Sequence, residues 1–530
     1  MNKVAGYLNG HIVGEVIASP SLRDEFSTDR GILKLEPELV ARPKVTNDIR
    51  KIARFTWQLA EKSHVLPLTA RGHGTDTTGG SIGKGIIVNT SAHLDNIIFI
   101  APKGKSRFVH VQSGASSRTL ERTLRSHGLS IPAIDLSADG TIGGAVARNI
   151  GSEMSGKYGL IGQWLEKVEV VLANGDLIET GRINKRELQA KKGLQTFEGD
   201  VYRKLDALID ENQELISEHV LSENVDNIGY NAISGVKGND GSFDLTPLFV
   251  GSQGTLGIIS EMVFKADFYN SETTIMIACF DSPEQARDAA DSIMSLEPSM
   301  LDLLDGNLFE IAAKEFGKKF PAFENSFPSS VLVMQFNDFS ERTRRRKSKK
   351  VIKNLTKNGA TILNDSDYPA DELYAIADIE SLLSYPEEKD VSRLSVIEGA
   401  SVPLERREDF LTSLKVLADK HHLELPMRIR WLDDIIYTRP LLNLKKLSDK
   451  QKVFKLINDY ASLVADCDGV FLAEGAEGRL KANAAYAQLD PDVINLYSQV
   501  RAIFDPLGTL NPGVKQTSEL RSLIRMLHAK

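Results

Sequence analysis

The chain has 530 residues, 42% hydrophobic and 26% charged, with a net charge of −8 and two cysteines. These averages exclude a disordered or fibrous chain, and the acidic balance lacks the basic footprint of general nucleic-acid binding. Cys279 and Cys467 stand apart without a CxxC or Cys/His neighbourhood, which excludes thiolate zinc sites and iron–sulfur clusters.

At roughly 100–200 residues per domain, the length suggests two to four domains. Asn9, His11 and Glu15 interrupt the apolar stretch that a signal peptide needs, and no run of 18 apolar residues occurs, so a cytoplasmic protein is expected. Asn47 is placed to cap a helix with Ile49, Ile52, Ala53, Trp57 and Ala60 at helical spacing. Leu66, Pro67 and Leu68 read as a short strand feeding a glycine cluster, RGHGTDTTGGSIGKG at 71–85. Further β-type runs follow at 86–88, 96–100 and 109–111, then a helix from Ser117 to His127 stopped by Gly128. Asn174-Gly175 between 168–172 and 177–180 is a hairpin signal. Residues 196–220 read as helix and Leu248-Phe249-Val250 as strand.

From about 272 the texture changes to strand-like runs, TTIMIACF and SSVLVMQF, alternating with helical stretches. Arg342 to Lys350 holds seven basic residues in nine on a helix beginning near Ser340. A solvated face is the plain reading, and weak contact with anionic lipid on the inner side of a membrane is the alternative. His421-His422 should be surface residues, because adjacent histidines on a helix point different ways.

Glycine can take positive φ and has no Cβ, so the cluster at 71–85 can bring backbone N–H groups close to an anion. An ordinary turn is the other reading. It ends in no Gly-Lys-Ser/Thr and opens no GxGxxG helix, so it is neither a P-loop nor a Rossmann fingerprint. Two more small-residue stretches, Asp139 to Gly144 and Gly251 to Glu261, suit a long diphosphate ligand.

The order Pro43, RGHGT at 71–75, Gly79-Gly80, Gly114, TIGG at 141–144, Tyr158-Gly159 and GSQGTLGIISE at 251–261 resembles the FAD-binding domain of the vanillyl-alcohol oxidase superfamily. The ending FDPLGTLNPG at 504–513 is similar to its glycolate oxidase/D-lactate dehydrogenase branch, and the match runs from about 15 to 515. The resemblance implies an α+β fold: a two-subdomain PCMH-type FAD-binding domain over 1–270, a cap domain over 271–460 with an antiparallel sheet and helices on one side, and a segment 461–530 returning to the first domain.

It also implies FAD contacts at Arg71, Gly72, His73, Gly74, Thr75, Asp76, Thr78 and Gly80, at Asp139, Thr141, Gly143, Gly144, Asn149, Gly151 and Ser152, and at Gly257, Ile258 and Asn511. Family members with a histidyl-linked flavin carry the reactive histidine where this chain has Thr75, so non-covalent FAD is expected. The branch's metal-binding histidines fall at Arg430, Tyr437 and Gly475, so no metal is expected. The polar residues left are Arg428, Arg430, Tyr437, Arg439, Glu398 and Glu474. Arg430 and Arg439 would grip a small anionic substrate, Tyr437 would hydrogen-bond to it, and Glu474 would act as base.

The reaction implied is oxidation of a CH–OH group in a 2-hydroxy acid or related alcohol. With no iron–sulfur motif in the chain, oxygen, a quinone or a partner protein takes the electrons. The rivals are a catalytically weak flavin-binding subunit and a flavin reductase using nicotinamide, for which no fingerprint is present.

Overall fold

The computed structural model describes every residue except 1, 103–106, 138, 221–224, 324–325, 365–367, 380–391 and 529–530. Near the N-terminus, strands Glu15–Ile17, Leu39–Arg42, Ile86–Asn89 and Leu68–Arg71 form a sheet in that spatial order. The strands Leu39–Arg42 and Leu68–Arg71 run parallel to the wholly buried Ile86–Asn89. Helix Thr46–Ala60 covers the sheet with Ile49, Ile52 and Ala53, following its apolar period.

Asn47 does not cap that helix: the cap position is Val45, without a side-chain bond. Asp48 does the polar work instead, accepting from the backbone N–H of Val13, Gly14 and Lys44 at 2.8, 2.9 and 3.0 Å. A buried carboxylate with three donors ties the helix start to the N-terminal segment.

A second, antiparallel sheet is built from Ile97–Ala101, Phe108–Gln112, Ile258–Lys265, Leu165–Val171 and Leu177–Glu179. The turn between its last two strands has Gly175 at φ 85°, as the Asn-Gly signal requires. Leu248 and Phe249 are not in a strand; they lie in the short helix Thr246–Phe249, which starts on Pro247. Both side chains are buried, and a short, fully buried run has no period to separate helix from strand.

The C-terminal half contains a seven-stranded sheet in the order Thr361–Asn364, Thr274–Phe280, Ser330–Phe336, Met300–Asp305, Met427–Arg430, Ile435–Thr438 and Ala400–Ser401. Every neighbouring pair is antiparallel. Both faces are covered, against the one-sided expectation. Met276, Ala278 and Phe280 pack with helices Pro283–Met294 and Arg407–His421, whereas Ile275 and Ile277 pack with Asn307–Phe316 and Ala370–Ala377. Two covered faces explain why these strands read as continuous apolar runs rather than alternations.

Helix Pro491–Phe504 leaves this half and buries Val493, Leu496, Tyr497 and Val500 in the core under the five-stranded sheet. Beyond it, Leu510 pairs in parallel with Leu68.

Helix Glu341–Lys357 buries Arg344 and Lys347, which bond Asp338 and neighbouring carbonyls. Arg342, Arg345, Arg346, Lys349, Lys350 and Lys353 form its exposed face. His421 is buried, with Nε2 2.8 Å from Asp459 Oδ2, whereas His422 ends the helix at φ 51°. The surface expectation therefore holds for one histidine of the pair. Among the described residues, no helix is long and apolar enough to cross a membrane.

Candidate functional site

A cleft enclosing about 1020 Å³, part of it open to solvent, lies where the loop after Leu68–Arg71 meets helix Ile142–Arg148 and the turn at 253–257. Its walls are close because they lack side chains. A Cβ on Gly72 would sit 2.0 Å from Thr141 Oγ1, and one on Gly143 would sit 2.6 Å from the Ser113 carbonyl oxygen. Gly74, at φ 73°, supplies a bend that other residues resist. Gly143→Ala should therefore force the Ser113 strand end away and yield protein that loses most of its flavin, measured as the ratio of flavin to protein absorbance. Full retention would contradict the close-packing argument.

Asp76 organises the first loop. It accepts from Gly80 N at 2.5 Å and Thr78 Oγ1 at 3.0 Å, and its Oδ1 is 3.1 Å from Arg148 Nε. Arg71 turns its guanidinium away to the Thr28 carbonyl at 2.8 Å and over the Phe26 ring. His73 Nδ1 is 2.8 Å from the Asp139 carbonyl, which joins the first and second loops. Gln253 knits the third loop in: its side chain donates to Thr78 Oγ1 and accepts from Gly478 N.

Of the expected FAD contacts, Arg71, Gly72, His73, Gly74, Thr75, Asp76, Gly80, Thr141, Gly143, Gly144 and Gly257 line the cleft. Thr78 lies behind it, bonded to Asp76. Asp139 stands at the rim through its carbonyl. Asn149 is bonded to Asn227 at 2.7 Å and to Gly162 N at 3.2 Å, so it shapes a turn at φ 50° rather than facing the cleft. Gly151 packs on Ser155, Ser152 Oγ donates to the Pro132 carbonyl, and Ile258 enters the strand core. Asn511 is a buried clamp, donating to the carbonyls of Gly80 and Gln253 at 2.7 and 2.8 Å.

Sequence reasoning did not assign Ser113, Asp135, Arg148, Ile150, Gln253 or Ile259 to the cleft, which all of them line. Gln253 and Arg148 adjoin residues already singled out. Asp135 carried no local signal. Among the described residues, buried Ser113 Oγ has no hydrogen-bond partner. An unpaired hydroxyl among glycine walls fits a polar ligand, and a long cleft of backbone and small side chains fits the pyrophosphate and ribose of FAD.

None of Arg428, Arg430, Tyr437, Arg439, Glu398 and Glu474 lines this cleft; next to its Arg148, strands Met427–Arg430 and Ile435–Thr438 present Arg430 and Tyr437 to the segment at 474–478. Arg430 Nε and Nη2 donate to Asp433, Nη1 to the Ser152 carbonyl and Nη2 to Glu474 Oε2 at 2.7 Å. Tyr437 OH donates to the same Glu474 oxygen at 2.8 Å. Burial holds the Tyr437 phenol well above its usual range and Glu474 reinforces this, so it stays a donor. Burial opposes the charge of Arg430, but Tyr437, Glu474 and Asp433 more than offset it and keep the guanidinium charged.

Arg430 thus has each nitrogen on a protein acceptor, against the expectation that it grips substrate. Its guanidinium also bridges the carboxylates of Asp433 and Glu474. A fixed positive charge there does not fit a metal.

Arg439 and Glu398 form a separate pair, Nε to Oε2 at 2.8 Å, with Ser395 Oγ on the other carboxylate oxygen. Burial opposes ionisation of Glu398, yet Arg439 and the Lys481 ammonium hold its carboxyl at about 2. It is therefore a fixed anion and not a proton carrier at ordinary pH. Arg428 is paired with Asp302 at 2.6 Å.

Residues 37–181 match the family model described as FAD binding domain, and 270–514 match that of FAD linked oxidases, C-terminal domain. A D-2-hydroxyglutarate dehydrogenase of Pantoea ananatis is 24% identical over 94% of this chain and 50% of its own length. The chain thus spans about half the length of that relative. The glycolate oxidase subunit GlcD of Bacillus subtilis is 23% identical over 92% of this chain and 91% of its own. A D-lactate dehydrogenase of Archaeoglobus fulgidus is 22% identical over 90% of each.

Among solved structures, p-cresol methylhydroxylase with substrate bound superposes with a TM-score of 0.66 at 12% identity, covering 94% of this chain and 93% of that one. Alkyldihydroxyacetonephosphate synthase superposes at 0.64 and 15%, covering 97% and 84%. At such identities these two neighbours speak to the fold, an α+β flavoprotein architecture of the PCMH type. With both family models matched in order along the chain, it carries an FAD binding domain followed by the C-terminal domain of FAD linked oxidases.

Proposed function

We propose that the chain oxidises a small 2-hydroxy acid to the corresponding 2-oxo acid, with FAD bound non-covalently. The observation that carries this reading is the Arg430–Glu474–Tyr437 cluster beside the glycine-walled cleft. Held by the loops of the cleft, FAD would supply a two-electron hydride acceptor, with oxygen, a quinone or a partner protein as the final oxidant. Glu474 takes the hydroxyl proton as the carbonyl forms, while Tyr437 and Arg430 hold its carboxylate in place. Names of relatives that act on D-2-hydroxyglutarate, glycolate and D-lactate support a substrate with a carboxylate next to the hydroxyl carbon.

Non-covalent binding is supported by the one histidine lining the cleft. His73 spends Nδ1 on the Asp139 carbonyl, and Thr75 follows where a linking histidine is expected. Acid precipitation should leave the yellow colour in the supernatant; a yellow pellet would refute it.

An anaerobic screen of glycolate and of the D and L forms of lactate and 2-hydroxyglutarate tests the reaction, with bleaching of flavin absorbance as the readout. Bleaching by at least one acid is expected. A protein that stays yellow throughout is a flavin-binding subunit, and one bleached by nicotinamide alone is a reductase.

A further inference from the structure

A carboxylate on the substrate needs a cation whose donors are open, and Arg430 is committed to Asp433, Glu474 and the Ser152 carbonyl. Arg148 differs. It ends helix Ile142–Arg148, lines the cleft and keeps 22% of its side chain exposed. Among the described residues its one ion pair is through Nε, 3.1 Å from Asp76 Oδ1. Asp76 is itself fixed by Gly80 N and Thr78, so the guanidinium is drawn to a held carboxylate by charge, without a hydrogen bond from Nε.

Arg148 Nη2 reaches the segment that carries Glu474. A Cβ built on Gly475 would lie 3.6 Å from Arg148 Nη2 and meet nothing else within 4 Å. That glycine, at φ 77°, brings no Cβ toward the guanidinium, and Glu474 is its chain neighbour. Asp135, on the same wall, feels both groups: burial pushes its carboxyl up, Glu474 adds to this and Arg148 opposes it.

We propose that Arg148 binds the substrate's carboxylate through its Nη1 and Nη2 donors, setting the hydroxyl-bearing carbon beside Glu474. In a 2-hydroxy acid these two groups are on adjacent carbons, so anchor and base must stand across one small space. A guanidinium presents two parallel N–H bonds, the geometry that matches a carboxylate. The proposal rests on the oxidation reading above and adds its specificity-determining residue.

The test uses the flavin-loaded protein and oxalate, a carboxylate probe that is not turned over, with Kd read from perturbation of the flavin spectrum. Arg148→Gln should weaken oxalate about 10- to 100-fold, the worth of a charge-assisted hydrogen bond, and Arg148→Lys should recover part of it. For an acid that bleaches the wild type, Arg148→Gln should raise KM more than it lowers kcat. Oxalate affinity unchanged in Arg148→Gln overturns the proposal, as does a wild type that does not respond to oxalate. Loss of flavin from both variants overturns it too, because Arg148 is then a cofactor-holding residue. Altered sulfite reactivity of the flavin with unaltered oxalate affinity would place Arg148 on the ring instead. Oxalate binding that depends on Arg148 in a protein that no acid bleaches would sink the oxidation reading and leave the anion site standing.

Discussion

Glu474→Gln should slow substrate-driven flavin reduction by about 10²- to 10⁴-fold, the range for loss of a positioned general base. The two donors on its Oε2, from Arg430 and Tyr437, fix the carboxylate without filling its second oxygen. Glutamine keeps the volume and one acceptor, so the fold and the flavin content should be retained. It cannot take up the hydroxyl proton. Anaerobic stopped-flow measurement with the best acid from the screen is the check. A rate within a few-fold of wild type, at equal flavin loading, removes Glu474 from the chemistry. A variant without flavin would instead show that the cluster holds the two halves together.

Lys515→Met should cost about 3–5 kcal/mol of stability, because it strands a buried carboxylate. Lys515 and Glu477 are fully buried, with Nζ 2.6 Å from Oε2. Nζ also donates to the Asn227 carbonyl, and Glu477 Oε1 accepts from Gly229 N. The pair thus joins the C-terminal segment to the loop at 227–230 and the turn at 474–478. Burial pushes the Lys515 ammonium down, and the Glu477 carboxylate opposes that shift. Denaturant unfolding of the flavin-loaded protein measures the loss. Lys515→Met with Glu477→Leu should recover much of it, since removing both charges avoids the stranded one. A single variant as stable as wild type would show that water reaches Glu477.

Local signals were readable where local chemistry decides conformation. Asn174-Gly175 can hardly do anything but turn, and the apolar period of 49–60 leaves that helix one face to bury. The glycines of 72–85 announced close approach before any wall was visible, because the absence of a Cβ is a property of the residue. The same local view misread Leu248 and Phe249, whose burial on all sides erased the period, and His421, whose partner Asp459 lies on another helix.

The residues themselves therefore determined loops able to approach an anion closely, since small side chains and turn geometry are written position by position, and their resemblance to a flavoprotein family implied FAD and an α+β fold. Tertiary structure decided which charges are free to act. Arg430, Arg439 and Arg148 are alike in the sequence, but the first is enclosed by Asp433 and Glu474, the second is paired with Glu398, and the third is drawn to Asp76 with its Nη2 toward Gly475. Electrostatic pairing depends on distance in space, and Glu474, Glu398 and Asp76 lie tens of residues from their arginines, so only the folded chain brings them within a few ångströms.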